Sequence, residues 1–257
     1  MFGSGKTTTR HSVLGYINKP GVKVWTAEDS VEILQEGLRQ VQVNPKIGWT
    51  FAHAMRSFLR ADPDVIMVGE MRDEETAKIG VEAALTGHLV LSTLHTNTAP
   101  DSVTWLLEMG IDPFNLSDSL LGVTSQRLVR KLCQNCRQPH ALGEDELTVL
   151  ADEYCMGTVL HRADVIAGWR ARFGDALAKY EAPGCASCER TGYRGRAGIH
   201  EMLVNTPELR RLIQKRAPSA DLFAQALSEG MRTLKQDGIL KSLHGVTDLQ
   251  QVRAACN

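Results

Sequence analysis

The segment Gly3-Ser4-Gly5-Lys6-Thr7-Thr8 constrains the fold of this chain more than any other. A glycine-rich turn that ends in Gly-Lys-Thr is the second half of a loop that joins a buried strand to a helix and surrounds phosphate oxygens with main-chain amides. It predicts a sheet covered by helices and, as ligands, a nucleoside triphosphate with Mg²⁺. Only Met1 and Phe2 precede the segment, so the glycine that opens the complete signature is missing. Taken alone, the segment is also compatible with a flexible Gly/Ser start and a chance lysine.

The composition excludes several classes of protein. The chain has 257 residues, of which 43% are hydrophobic and 23% charged, as in ordinary globular domains with a real core. Its 29 basic and 30 acidic residues give a formal net charge of -1, without the basic excess typical of nucleic-acid-binding proteins. No uncharged apolar run is long enough to predict a membrane span, and no secretory leader pattern opens the chain. The expected compartment is the cytoplasm.

Apolar runs and helical spacing alternate through the first hundred residues, which predicts an α/β fold with a parallel sheet. The predicted order is a helix from Thr7, a strand at 22–26, a helix at 51–59, a strand at 65–68, a helix at 74–85 and a strand at 89–93.

The rest of the chain has a different character. The predicted elements are a helix at 116–132, a charged helical stretch at 139–183, a strand at 196–205, a helix opened by Thr206-Pro207, helices at 220–228 and 231–244, and a last helix capped by Thr247.

Acidic and histidine-bearing segments follow the predicted strands. Glu28 follows the first strand, Glu70 follows the second, and His88 and His95 bracket the third. Ligands of open α/β sheets bind at the carboxyl ends of the strands. Each residue alone has a common structural explanation, because acidic strand ends are usually solvated and a single histidine is usually a hydrogen-bonding residue. Together they predict one site around a triphosphate.

These segments resemble motifs of the secretion ATPases of type II secretion and type IV pilus assembly. The loop at 3–8 is similar to the Walker A loop of that family, 26–32 to its Asp box, 59–73 to its Walker B region and 86–99 to its His box. The resemblance extends to the C-terminus, where 230–234 is also similar to a family segment.

The resemblance implies a role for each motif residue. Lys6 lies against the β- and γ-phosphates, Thr7 binds Mg²⁺, and the amides of Gly3, Ser4, Gly5, Lys6, Thr7 and Thr8 surround the phosphates of ATP. Glu28 and Glu70 divide two tasks, holding the Mg²⁺ shell and activating water, in an order left open. His88 and His95 sense the γ-phosphate. Arg72 is a weaker candidate, for which a salt bridge to Asp73 or Glu75 is an equal alternative.

Two cysteine pairs, Cys133-x-x-Cys136 and Cys185-x-x-Cys188, have the form of a structural zinc site, with 48 residues (137–184) between them. An iron–sulfur cluster and a redox dithiol are the alternatives. The resemblance favours Zn²⁺, since assembly and secretion motors of this family carry such an insert and retraction motors generally lack it. Cys155 and Cys256 stand apart and are expected to be ordinary small residues.

The resemblance also implies an organisation and partners. We expect a RecA-like P-loop ATPase core at 1–125 that lacks its first strand, a tetracysteine zinc subdomain at 126–200 and a small helical subdomain at 201–257. The expected assembly is a homo-hexamer that contacts an inner-membrane platform and cytoplasmic adaptor proteins. The chain itself is expected to be cytoplasmic and peripheral at the inner membrane, without a nucleic-acid partner.

The incomplete loop predicts an N-terminally truncated fragment with impaired hydrolysis. The missing strand is expected to lie between strands that the chain retains, leaving an open slot in the sheet. A different class of function is also open, a non-catalytic, zinc-bearing remnant that binds partners. A nucleic-acid motor of the RecA type is disfavoured by the balanced charge.

Overall fold

The computed structural model describes residues 4–175 and 177–256. Two short 3-10 helices, Pro45–Ile47 and Ala186–Cys188, accompany the regular elements. In chain order these are α1 Lys6–Ile17, β1 Val24–Glu28, β2 Leu38–Gln42, α2 Phe51–Phe58, β3 Val65–Val68, α3 Glu74–Leu85, β4 Leu89–Leu91, α4 Ala99–Glu108, α5 Pro113–Ser119, β5 Gly122–Leu132, β6 Gln138–Ala141, α6 Glu144–Cys155, α7 Arg162–Phe173, β7 Ala178–Glu181, β8 Tyr193–Val204, α8 Pro207–Gln214, α9 Ser219–Ser228, α10 Leu234–Leu243 and α11 Leu249–Cys256.

The chain forms two compact units. Among the described residues, the first comprises 6–123 and 203–225, and the second comprises 4–5, 124–202 and 226–256. None of the helices in these ranges has both the length and the apolar composition needed to cross a bilayer.

The first unit is built on a parallel sheet with the strand order β2-β1-β3-β4. Its apolar strands are buried on both faces, as expected when helices cover a parallel sheet on both sides. On one face Leu14 of α1 packs against Val24, Val65 and Met67. On the other face the sheet packs against apolar residues of α2 and α3, including Met55, Phe58, Ile79 and Ala83. The predicted α/β layering is confirmed.

The sheet has no internal slot. In the described residues β1 pairs directly with both β2 and β3, and β3 pairs directly with β4. The expectation that a missing strand leaves a gap between retained strands is therefore wrong. The ladders between these neighbouring strands are continuous, so the backbone groups that face one another across them are paired.

The second unit contains the segment between the cysteine pairs. Strand β5 pairs with β8, and β6 forms an antiparallel pair with β7. Helices α6 and α7 pack their apolar faces together with α10, and the Tyr154 and Trp169 rings meet edge to face with centroids 5.3 Å apart. The segment that the sequence predicts as charged helix is thus a small α/β layer with its own core.

Two predicted details are wrong. Residues 122–132 form strand β5 instead of continuing a helix from Leu116, which belongs to the short α5. The last helix is not capped by Thr247, whose hydroxyl donates to the carbonyl of Arg130. Asp248 takes the capping role and accepts from the amide of Gln251 at 2.8 Å.

Candidate nucleotide site and cysteine cluster

Helix α1 begins at Lys6, directly after a tight glycine turn. Gly5 has φ of +82°, the left-handed region that glycine enters without strain. The amides of the first turn have no acceptor within the helix, so this end offers donors and a partial positive charge to an anion. Ser4 and Gly5 belong to the second unit, where the side-chain amide of Gln126 donates to the Ser4 carbonyl at 2.8 Å. Gly3 lies outside the described residues.

Sheet topology brings the two predicted carboxylates to one edge. Because β1, β3 and β4 run parallel, their carboxyl ends lie side by side. Ala27 is opposite Val68 in register, so Glu28 ends its strand next to the start of the Gly69-Glu70 turn. Met67 is opposite Leu91, which brings the segment after β4 to the same edge. Carboxylates from two strands and the His95 loop thus meet where ligands of such sheets bind.

Glu70 is buried and held between two basic side chains. Its Oε2 lies 3.1 Å from Nε2 of His95, and its Oε1 forms an ion pair with Arg72. The alternative interpretation of Arg72, a salt bridge to Asp73 or Glu75, is therefore wrong. Asp73 caps α3, and Glu75 pairs with Arg56.

Glu28 is 2% exposed and lies in a polar network on the α1 face of the sheet. Its Oε1 accepts from the Thr26 hydroxyl at 2.8 Å and from the Gln40 amide at 3.1 Å. Its Oε2 lies 3.5 Å from Nε2 of His11. The two neutral donors on Oε1 restrict rotation of the carboxylate, while Nε2 of His11 lies beside Oε2 without a hydrogen bond.

Three side chains of the first unit bind main-chain carbonyls beside the carboxylates. The Lys6 ammonium donates to the carbonyl of Leu94 at 3.2 Å. Both Arg10 and Thr93 donate to the carbonyl of Gly69, at 2.8 and 2.7 Å. Helix α1 is thereby joined to the turn that carries Glu70 and to the loop that carries His95.

His88 is not part of this group. It directly precedes β4, at the opposite edge of the sheet, and its Nδ1 lies 2.9 Å from the carbonyl of Ala83. Its surroundings include Asp62, whose pKa is held below its ordinary value mainly by Lys23 and to a smaller extent by His88. Of the two predicted histidines, the structure brings only His95 to the carboxylates.

The four predicted zinc ligands converge. The ligand sulfurs of Cys133, Cys136, Cys185 and Cys188 all lie within 4.8 Å of one another. The Sγ–Sγ distances are 3.8 Å for Cys133–Cys185, 3.9 Å for Cys136–Cys188 and 3.8 Å for Cys185–Cys188. A tetrahedral ZnS₄ centre with Zn–S bonds of about 2.3 Å has sulfurs about 3.8 Å apart. The cluster therefore fits a structural zinc ion.

Local backbone geometry explains how the second pair reaches this arrangement. Glu189 and Arg190 both have positive φ, which turns the chain tightly after Cys188. The amide of Cys185 hydrogen-bonds to the Cys188 sulfur and lowers the pKa of that thiol to about 6. Desolvation raises the pKa of Cys136 to about 12. The Cys188 thiolate is thus available to a metal near neutral pH, since thiolates are the ligand form.

Several residues of these sites carry no sequence motif. Arg10 and His11 lie on α1 beyond the phosphate-binding segment, and Gln40 lies on β2, which the sequence does not predict. His11 and Leu14 are spaced by three and both buried, a pattern that marks one helix face but not its contact with a carboxylate.

Comparison with known proteins agrees with this geometry. The family model for type II/IV secretion system proteins matches residues 2–254. A type IV pilus assembly ATPase PilB of Thermus thermophilus is 46% identical over 98% of this chain and 26% of its own length. The type II secretion system protein E of Pseudomonas aeruginosa is 44% identical over 97% of this chain and 46% of its own length. The chain thus spans about a quarter to a half of these relatives.

Solved structures share the fold. The pilus retraction motor PilT, crystallised with bound ADP, superposes with a TM-score of 0.66 at 27% identity, over 98% of this chain and 58% of that chain. The Legionella pneumophila ATPase DotB superposes with a TM-score of 0.64 at 21% identity, over 98% and 57%, and this likeness shows the fold alone. The predicted RecA-like P-loop fold class is confirmed. With the match across almost its whole length, the chain belongs to the type II/IV secretion system protein family.

Proposed function

We propose that the chain is the ATP-hydrolysing part of a motor that powers type II secretion or type IV pilus assembly. The observation that carries this proposal is the position of Lys6 at the head of α1, beside a sheet edge that gathers Glu28, Glu70 and His95. This arrangement supplies a cation and helix amides for phosphates, and carboxylates for a metal and a water molecule.

The residues divide the work as follows. Lys6 binds the β- and γ-phosphates, with the amides of Ser4, Gly5, Thr7 and Thr8 on the phosphate oxygens. Mg²⁺ would be held by Thr7 and one of the two glutamates and would neutralise charge that develops on the phosphates. Such hard oxygen ligands suit Mg²⁺. The other glutamate orients and deprotonates the attacking water. His95, hydrogen-bonded to Glu70, transmits the presence of the γ-phosphate to its loop, and His88 lies at the opposite edge of the sheet.

The remaining predictions belong to the same proposal. Residues 1–125 form the ATPase core, 126–200 a subdomain stabilised by Zn²⁺, and 201–257 a helical subdomain. The motor is a homo-hexamer in the cytoplasm, held peripherally at the inner membrane by platform and adaptor proteins. No nucleic acid takes part.

One observation favours the second candidate function, a zinc-bearing module that binds partners without turnover. The Lys6 ammonium already donates to the Leu94 carbonyl, so phosphate binding competes with a contact inside the protein. Nucleotide binding decides between the two functions.

The test is a titration of the chain with ATP, with and without Mg²⁺, followed by single-turnover hydrolysis. We expect weak Mg²⁺-dependent binding that Lys6→Ala lowers about tenfold or more, since hydrogen bonds to charged groups contribute about 1.5–3 kcal/mol. Lys78→Ala, on the exposed surface of α3, is the matched control.

Glu28→Gln and Glu70→Gln separate the two carboxylate tasks. The variant that loses Mg²⁺-dependent binding identifies the metal ligand. The variant that binds but turns over about a hundredfold or more slowly identifies the residue that activates water, because general bases typically contribute 10²–10⁴-fold. Equal ATP affinity of the wild-type chain and Lys6→Ala would exclude the motor function and leave the partner-binding module.

A further inference from the structure

Helix α1 carries a buried histidine that faces one of the two predicted carboxylates. His11 is 4% exposed, and its Nε2 lies 3.5 Å from Oε2 of Glu28. Neither the phosphate-binding segment nor the acidic segment at 26–32 includes His11. Nε2 is buried and forms no hydrogen bond, an arrangement that is costly unless the ion-pair contact with Glu28 offsets it.

The partner of the other ring nitrogen is fixed by the surrounding amides. Nδ1 of His11 lies 2.7 Å from Oε1 of Gln35. The Gln35 amide nitrogen donates to the main-chain carbonyl of His11 at 3.1 Å, which leaves Oε1 as the acceptor for the ring. Nδ1 is therefore a donor. Nε2 faces Oε2 of Glu28 at ion-pair distance without forming a hydrogen bond, and it can donate to that oxygen only in the doubly protonated ring.

Glu28 is held from two elements of the structure. Donors from the sheet, Thr26 and Gln40, occupy Oε1. His11 approaches Oε2 from α1, the helix that begins with Lys6. A shift of α1 relative to the sheet would thus act directly on the orientation of the carboxylate.

We propose that His11 is a positioning residue for Glu28 that ties the orientation of this carboxylate to the phosphate-binding helix. The proposal rests on the proposed function of the site. His11 acts through its Nε2 contact, while its Nδ1 contact with Gln35 holds the ring in place. Positioning of this kind affects the chemical step more than substrate affinity, because a misdirected carboxylate lowers the fraction of bound complexes that can react.

Two substitutions separate the ring nitrogens. The amide nitrogen of asparagine reaches the place of Nδ1, and that of glutamine, one bond further out, reaches the place of Nε2. His11→Asn should keep the contact with Gln35 and lose that with Glu28, whereas His11→Gln should keep the contact with Glu28. The same substitutions at the exposed His53 are controls.

The first readout needs no nucleotide. The ¹³Cδ resonance of Glu28, assigned with Glu28→Gln, should move in His11→Asn and stay near its wild-type position in His11→Gln. The second readout is ATP turnover, in which kcat should fall about tenfold in His11→Asn and remain within about threefold in His11→Gln, with KM unchanged in both.

The outcomes distinguish this inference from the proposed function. A chain that shows the expected resonance pattern but no turnover retains the His11–Glu28 contact and contradicts only the motor function. An unchanged Glu28 resonance in a folded His11→Asn variant overturns the inference. Equal losses of kcat in the two folded His11 variants would also overturn it, since a merely structural role does not distinguish the two ring nitrogens.

Discussion

Single glycines near the cysteine cluster accept positions that no other residue could occupy without strain. Gly184 has φ of +98°, and a Cβ atom there would lie 2.4 Å from the carbonyl oxygen of Arg190. Gly192 has φ of +78°, and its Cβ would lie 2.3 Å from the carbonyl oxygen of Ala182. These close approaches join the two sides of the turn that carries Cys185 and Cys188. The cluster geometry therefore depends on residues that bind no metal.

We predict that Gly184→Ala destabilises the second unit much more than Gly195→Ala. Gly195 shares a positive φ of +77°, but its Cβ position is open. A left-handed backbone conformation alone costs alanine about 1–2 kcal/mol. Gly195→Ala measures this cost without a clash. The clash at Gly184 adds to that cost. Gly184→Ala should therefore lower the free energy of unfolding, measured with urea, by about 3 kcal/mol or more. Equal losses in the two variants would show that the backbone conformation alone matters.

Residue types and spacing were enough to predict much of the candidate site. The cysteine pairs converge as predicted. The prediction was possible because two Cys-x-x-Cys pairs are typical ligands of one shared metal ion. The rule that ligands bind at the carboxyl ends of parallel strands correctly placed Glu28, Glu70 and His95 at one edge of the sheet. It failed for His88, since a residue just before a strand lies at the opposite edge from one just after it. His11 escaped prediction because its contact with Glu28 joins two elements whose packing no motif encodes.

At the scale of elements, strand β5 shows why local spacing can mislead. Its buried residues are Gln126, Val129 and Leu132, which recur at intervals of three. This spacing is typical of a helix face, whereas an ideal strand alternates with a period of two. Val65–Val68, by contrast, was predicted with its exact ends, because a short apolar run between Pro63 and Gly69 fits a strand buried on both faces.

The start of α11 depends on one aspartate. We predict that Asp248→Ala lowers the free energy of unfolding by about 1 kcal/mol, the usual contribution of a helix cap. Asp248 also accepts from the Tyr193 hydroxyl at 2.5 Å, so the loss should be at the upper end of the range. Asp221→Ala, an exposed first-turn residue of α9, is the control and should change stability by less than about 0.5 kcal/mol. Urea unfolding measures both, and equal effects would contradict the capping role.

Tyr193 makes the stability of this region depend on pH. Burial, together with the carboxylate of Asp248, raises the pKa of Tyr193 to about 12 from an ordinary value of 10. Because the folded state favours the neutral phenol, Tyr193 stabilises the folded state fully below pH 10. This stabilisation is lost as the pH rises from about 10 to about 12. Absorbance titration should place the ionisation of Tyr193 in this range, and Tyr193→Phe should remove this part of the alkaline loss of stability. An ordinary tyrosine pKa at this position would contradict the prediction.

At the scale of the whole molecule, the second unit joins sequence segments that lie far apart in the chain. Its cysteine pairs are separated by residues 137–184, and its core includes apolar residues of α10, which follows much later. A metal that binds both pairs closes this long loop, as a disulfide does. By the chain-entropy relation for a loop of this length, closure alone stabilises the unit by about 4 kcal/mol.

We predict one Zn²⁺ per chain and selective unfolding of the second unit when it is removed. Strong chelation, or Cys133→Ser, should increase amide exchange in β6, α6, α7 and β7, while the parallel sheet of the first unit keeps its protection. Cys155→Ser is the control, since Cys155 lies outside the cluster. A metal-free protein with unchanged exchange protection would contradict the zinc site.

The meeting of both cysteine pairs at one point has a consequence for shortened versions of the chain. The chain leaves the cysteine cluster at residue 137 and returns to it at residue 184. A deletion of 137–184 could therefore be bridged by a few residues without straining the backbone. Such a shortened protein would nevertheless expose Ile239, Leu240 and Leu243, which α6 and α7 now cover. We expect it to retain its connectivity but to self-associate through that uncovered stripe unless these three residues are made polar.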